Sequence, residues 1–279
     1  MSEPRRIDPV ERAHLRDAEG YAPPISRYTP SPDLGGLVRR YWLPVWSLPP
    51  GHRSVQRVLQ YPVCLLVVTD ADAWLVGPVA GLSTQELAGT GWAVGAMLQP
   101  AAGSLLLGGP VTAVTDRRVD LGAVAGLDGT ALAQAVRDAV GDAPADGQRQ
   151  RAAVAVIEAA LGPLLPVDEE GALVNAIVEH VEADPTVQRV AQLCARFGLT
   201  ERTLQRLTAR RIGLSPKWLI QRRRLHDAAE RLRVVPEGRS PGLARLASEL
   251  GYADQAHFAR DFRTATGLTP REFAAEPRR

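Results

Sequence analysis

Along residues 58–69 (VLQYPVCLLVVT), 73–79 (AWLVGPV) and 92–98 (WAVGAML), apolar residues come in short runs rich in Val, Leu and Trp. Gly, Pro and Asp bound these runs, which is the pattern of β-strands closed by turns. Several such runs at this spacing predict a small sheet or barrel. The period then lengthens: Leu132, Val136 and Val140 fall four apart, and Ala153, Val154, Ile157, Ala160, Leu161 and Leu164 mark one face of a second helix. Residues 141–147 break the pair. Residues 161–170 (LGPLLPVDEE) combine two prolines with three acids and are the expected boundary between a domain at 1–166 and another at 167–279. From Glu169 onward the pattern is helical, so the chain reads as α+β with its strands first.

The last ninety or so residues repeat themselves. Residues 190–198 (VAQLCARFG) align with 243–251 (LARLASELG), and Leu204, Arg206, Gly213, Leu214, Ser215 and Pro216 align with Phe258, Arg260, Gly267, Leu268, Thr269 and Pro270, at offsets of 53 and 54 residues. Each copy has helix-turn-helix grammar. A helix ends at Gly198 or Gly251, one apolar residue follows (Leu199 or Tyr252), and a capping side chain (Thr200 or Asp254) starts a second helix. Leu204 and Leu207, or Phe258 and Phe262, can turn inward, leaving Arg202, Gln205, Arg206 and Arg210 in one copy and Gln255, Ala256, His257 and Arg260 in the other toward the outside. A helix ~10 to 12 Å across fits a major groove ~12 Å wide, and Arg and Gln pair bidentately with guanine and adenine. Between the copies, Ser215 and Pro216 open a linker helix expected to run to about Val234, before Pro236, Gly238 and Pro241 end it.

Charge sharpens this picture. The net charge of +2 is the sum of opposed halves: residues 1–184 sum to −8 and residues 185–279 to +10. The basic third suits a polyanionic partner. Only one of the 33 cations is a lysine, so arginine richness runs through the whole chain and does not by itself mark a site. The Arg222, Arg223, Arg224 run suits phosphates, and Thr200, Arg210 and Asp254 are expected beside the DNA backbone with Arg222 and Arg223.

At these residues the C-terminal part, from about Glu169 to Ala274, resembles the AraC/XylS family of transcription regulators. Gly251, Tyr252, Asp254, Gln255, His257, Phe258, Arg260, Phe262, Gly267, Thr269, Pro270 and Phe273 follow that family's second motif, and LTERTLQRL from Leu199 is similar to its more variable first motif. The resemblance implies base readout by Arg202, Gln205 and Arg206 and by Gln255, Ala256, His257 and Arg260. Ala256 departs from the polar residue usual there and offers at most a thymine methyl contact. Leu34, Leu37, Val38, Tyr41 and Trp42, with Gly77, Pro78 and residues 116–121 (DRRVDL), resemble more distantly an AraC-type sensor domain. That implies a cupin-like barrel for a small-molecule effector and a helical pair, at residues 128–165, that forms a homodimer, with packing of its apolar face on its own barrel as the alternative. It also admits RNA polymerase as a further partner beside double-stranded promoter DNA.

Other chemistry is not indicated. Tyr41, Trp42, Trp46, Arg57, Trp74, Trp92 and Met97 are the candidate effector-binding residues, with core filling as the alternative for each. The N-terminal histidines, His14 and His52, form no His-x-His pair, and there is no phosphate loop or nucleophile elbow, so no enzyme, metal or cofactor is expected. Cys64 and Cys194 lie too far apart in sequence for a metal knuckle. The absence of a long apolar run and the polar stretch from Met1 to Arg6 point to a cytoplasmic protein without membrane association. The expected function is a DNA-binding regulator that senses a small molecule; the alternative keeps the DNA-binding half and makes the N-terminal half a ligand-free protein-interaction module.

Overall fold

The computed structural model describes residues 13–15, 21–234 and 242–275. Strands come first: β1 (His14–Leu15), β2 (Ile25–Tyr28), β3 (Val38–Ser47), β4 (Arg53–Val58), β5 (Leu65–Thr69), β6 (Ala73–Val76), β7 (Ser83–Ala88) and β8 (Thr90–Leu98), then helix α1 (Ala102–Leu107) and β9 (Arg118–Asp120). They form a three-stranded sheet, β1-β4-β7, and a six-stranded sheet, β2-β3-β8-β5-β6-β9, antiparallel throughout. Helices α2 (Gly129–Val140) and α3 (Gly147–Leu161) follow. Asp128 and Asp146 open them by accepting backbone N–H bonds from Ala131 and from Gln148 and Arg149.

Alternation along the strands decides what each sheet face does. Tyr41, Leu43, Leu66, Val68, Leu75, Trp92, Val94 and Ala96 pack in one core with Leu132, Val136, Val140, Ala153, Ile157 and Leu161. The apolar faces of α2 and α3 therefore cover the domain's own sheet. This is the packing expected as the alternative to a pair that forms a homodimer through its apolar face.

The run at residues 58–69 is not a single strand. Pro62 has no N–H to give a ladder, and the chain leaves β4 of the three-stranded sheet at Val58 and joins the six-stranded sheet as β5 only at Leu65. Leu59, Val63 and Cys64 between them are nonetheless buried. Burial pushes the Cys64 thiol up to about 12, which leaves it an inert packing group. The ten-residue β3, the longest strand, was not expected as a strand; its adjacent Arg39 and Arg40 interrupt the apolar signal.

The rest is helical: α4 (Glu169–Ala183), α5 (Val190–Phe197), α6 (Glu201–Ile212), α7 (Pro216–Arg233), α8 (Leu243–Glu249), α9 (Gln255–Thr266) and α10 (Pro270–Ala275). The expected linker helix is α7, opened by Ser215 and Pro216; Pro236, Gly238 and Pro241 lie outside the described residues. Two apolar cores fill this part. Val174, Ile177, Leu193, Leu204, Leu207, Leu219 and Ile220 belong to one. Leu225, Ala228, Leu232, Leu243, Phe258, Phe262 and Phe273 belong to the other.

Gly77 explains part of the N-terminal sequence motif. It follows β6, donates its N–H to the Arg117 carbonyl at 2.9 Å, and lies so close to the Val114 carbonyl that a Cβ would overlap it. Backbone cannot move aside as a side-chain tip can. Gly77→Ala is expected to destabilise the protein by ~1 to 3 kcal/mol through overpacking, read as a lowered midpoint in thermal or denaturant unfolding.

Candidate nucleic-acid interface

Each repeat builds a helix-turn-helix from the same local devices. In the first, Gly198 ends α5 at φ 65°, a left-handed conformation that favours glycine. Thr200 then caps α6 by accepting the Thr203 N–H at 3.1 Å. Leu204 and Leu207 turn into the core, while Arg202, Gln205 and Arg206 stand exposed on the opposite side. In the second, Gly251 takes φ 76° after α8, and Asp254 caps α9 by accepting the His257 N–H at 2.7 Å. Behind α9, Phe258 sits among Tyr252 and Phe262, with ring centroids 5.3 and 5.7 Å away, and Phe273 continues the row at 5.3 Å from Phe262. Such an aromatic row stiffens the support of a short helix. Gln255, Ala256 and Arg260 are exposed in front of it.

Arg206 and Arg260 occupy equivalent places in the repeat, and both are exposed on the second helix of their motif. Gln205 donates to Glu201 Oε1 at 3.1 Å, which holds its amide on the outer face. His257 is half-buried, edge-on to Tyr252 at 5.3 Å and 3.6 Å from the Asp261 carboxylate. It is the most restrained of the seven residues expected to read bases. Arg210 is exposed and paired with Glu170.

The phosphate set needs correction. Arg222 and Arg223 are only 3% and 6% exposed. Arg222 donates to the Ala80 carbonyl at 2.8 Å and the Gly81 carbonyl at 3.2 Å, and lies over the Trp218 ring at 4.4 Å. Burial lowers its pKa to about 10, still far above neutrality, so it is a buried cation. Arg223 bonds Asp227 and the Val187 carbonyl. Both are structural in this arrangement. Asp254, an anion engaged by helix N–H groups that hold its carboxyl below the usual range, is a cap and would repel a phosphate.

Sequence reasoning missed Arg211, although it lies seven residues after Leu204 on the inward stripe. It is buried, and its guanidinium donates to Glu170 at 2.8 Å, to Ser104 Oγ of α1 at 3.0 Å and to Asp168. That fixes the C-terminal end of α6 against the N-terminal half of the chain.

The candidate effector residues do not converge. Tyr41 and Trp92 belong to the core under α2 and α3 and are not free to line a pocket. Trp42, Trp46, Trp74 and Met97 lie on the opposite face of the six-stranded sheet. There the register runs Trp42, Gly95, Val67, Trp74 across four strands. The Trp42 and Trp46 rings lie over Gly95 and Gly91, where any Cβ would strike them. Arg57 belongs to β4 in the other sheet, next to Gly267.

This geometry defines a chain with two helix-turn-helix motifs joined by one helix, behind a β-sheet domain. Residues 193–276 match the model of a helix-turn-helix domain, and residues 26–120 match that of a domain of unknown function. The C-terminal third is an AraC-type helix-turn-helix domain, and the protein is a DNA-binding regulator. No curated protein sequence matches the chain. Among solved structures, ToxT from Vibrio cholerae O395 is similar at 10% identity and a TM-score of 0.42, covering 84% of this chain and 96% of that one. The same protein bound to (E)-4-(8-methylnaphthalen-1-yl)but-3-enoic acid gives 12% identity and 0.41, covering 84% and 98%. No helix among the described residues is long and apolar enough to cross a membrane.

Two outcomes are expected. Arg206→Ala and Arg260→Ala should each weaken binding to a specific DNA site by ~1 to 3 kcal/mol while changing nonspecific affinity less, as measured by anisotropy titration on specific and scrambled duplexes. Thr200→Ala should lower unfolding stability by about 1 kcal/mol through loss of the cap, read in denaturant unfolding.

Proposed function

We propose that the chain is a ligand-responsive transcription regulator, with residues 1–166 sensing a small molecule and residues 167–279 reading promoter DNA through Arg202, Gln205, Arg206, Gln255, Ala256, His257 and Arg260. The observation that carries this reading is the pair of exposed, capped, cation-bearing helices held on one linker helix. Arg210 supplies a phosphate contact from the exposed side of the first motif. Two motifs in one chain can engage two adjacent major grooves, which single-motif proteins achieve by pairing subunits. A homodimer is therefore not needed to read one bipartite site.

On the sensor side, Trp42, Trp46 and Trp74 are half-buried on a shared sheet face, the kind of aromatic surface that small apolar molecules use. One observation favours the interaction-module reading instead: the Trp42 and Trp46 rings already rest on Gly95 and Gly91 and fill part of that face themselves.

A thermal-shift screen of the full chain against a metabolite library separates the two. A sensor gives at least one compound that raises the melting temperature with a saturable dose dependence and changes tryptophan emission. An interaction module gives none. DNA binding should weaken with salt, each neutralised phosphate adding about −0.9 to the log–log slope, and Arg210→Ala should reduce that slope by about one.

A further inference from the structure

The N-terminal half grips the reading half at three separate places. At the first motif, Arg211 is bonded to Ser104, and Thr115 Oγ1 donates to the Gly213 carbonyl at 3.0 Å just past the end of α6. Along the linker helix, Trp218, Arg222, His226 and Arg233 form one stripe. Trp218 Nε1 donates to the Ala80 carbonyl at 3.0 Å, Arg222 to Ala80 and Gly81, and Arg233 to the His14 carbonyl at 3.0 Å, while the His226 ring stacks on Tyr61 at 4.4 Å. At the second motif, Leu15 and Leu59 are buried within the core formed by Phe258, Phe262 and Leu243, and Leu82 packs beside Gly267.

The loop that takes the linker contacts is itself pinned. Asp116, at φ 58° the one described non-glycine residue with positive φ, accepts the Ala80 N–H on its carboxylate at 2.8 Å and donates its own N–H to the Pro78 carbonyl at 3.0 Å. Ala80 is thus held from one side by the sensor motif and from the other by α7.

Two small bundles joined by one helix form an open chain, whose ends can swing by bending at either junction. A third body fixed to both bundles and to the rod closes the chain into a ring and removes that freedom. We propose that the N-terminal domain is a splint that sets the separation and phase of the two recognition helices, and so determines which spacing between two DNA boxes the protein accepts. This rests on the reading that both motifs enter DNA. Shifting one box by a base pair moves it ~3.4 Å along the axis and rotates it by roughly 35°, which a stiff pair cannot follow and a hinged pair can.

The test uses the full chain and a DNA site selected by the wild-type protein, with and without one base pair inserted between the boxes. Thr115→Val with Arg222→Met removes sensor contacts at the first motif and at the linker while nearly conserving volume. The wild-type chain should lose about tenfold or more in affinity on insertion, comparable to a mismatched base pair. The double variant should lose at least about threefold less than the wild type does, with native circular dichroism. If that variant does not fold, Asp116→Asn, which weakens the hold on Ala80, takes its place with the same expectation. Equal loss by wild type and variant overturns the splint alone. Selection of no specific site at all overturns the DNA-reading function, and the splint with it.

Discussion

A single helix serves two hydrophobic cores at once, and the rest of the reading apparatus depends on it. The N-terminal part of α7 puts Leu219 and Ile220 into the first motif's core. Its C-terminal part puts Leu225, Ala228, Ala229 and Leu232 into the second. At ~1.5 Å per residue, its 18 residues span ~27 Å, of the order of the ~34 to 36 Å between successive major grooves on one face of DNA. Neither motif is large enough to bury its own apolar face without this shared rod. Stability of the motifs and geometry of recognition therefore rest on the same side chains.

The charged residues divide by the same logic. Four arginines with similar sequence surroundings have different roles because of where the helical period places them. Arg206 and Arg260 point away from the cores and remain exposed. Arg211 falls inward, where two carboxylates and the Ser104 hydroxyl compensate its burial. Arg222 also falls inward but finds backbone carbonyls and an indole face in place of a carboxylate, and two of its nitrogens, Nε and Nη1, have no hydrogen-bond partner. Burying a cation without a counter-charge is costly, and the two carbonyls and the indole face offset part of that cost.

Much of the C-terminal architecture was legible because each signal was local and repeated. Gly198 with Thr200, Gly251 with Asp254, and Ser215 with Pro216 each fix a helix end by the chemistry of one or two residues, and an offset of 53 to 54 residues duplicates the motif. The exposed faces of α6 and α9 follow from the periods of Leu204 and Leu207 and of Phe258 and Phe262. The burial of Arg222 was not legible from charge, since it depends on a loop about 140 residues earlier, and Arg223 is held by Asp227 and by the Val187 carbonyl 36 residues earlier. The period carried the warning: Arg222 sits between Leu219 and His226 on one stripe. In the N-terminal half, the aromatic candidates looked alike in sequence, and only the strand register separated Tyr41 and Trp92 in the core from Trp42, Trp46 and Trp74 on the other face.

The central claim is that both recognition helices read DNA together, held about one turn apart. Methylation interference on DNA bound by the full chain tests it most directly. The account predicts two clusters of interfering purines on the same face of the duplex, centred roughly 10 base pairs apart. A single cluster, or interference spread evenly along the duplex, would contradict it.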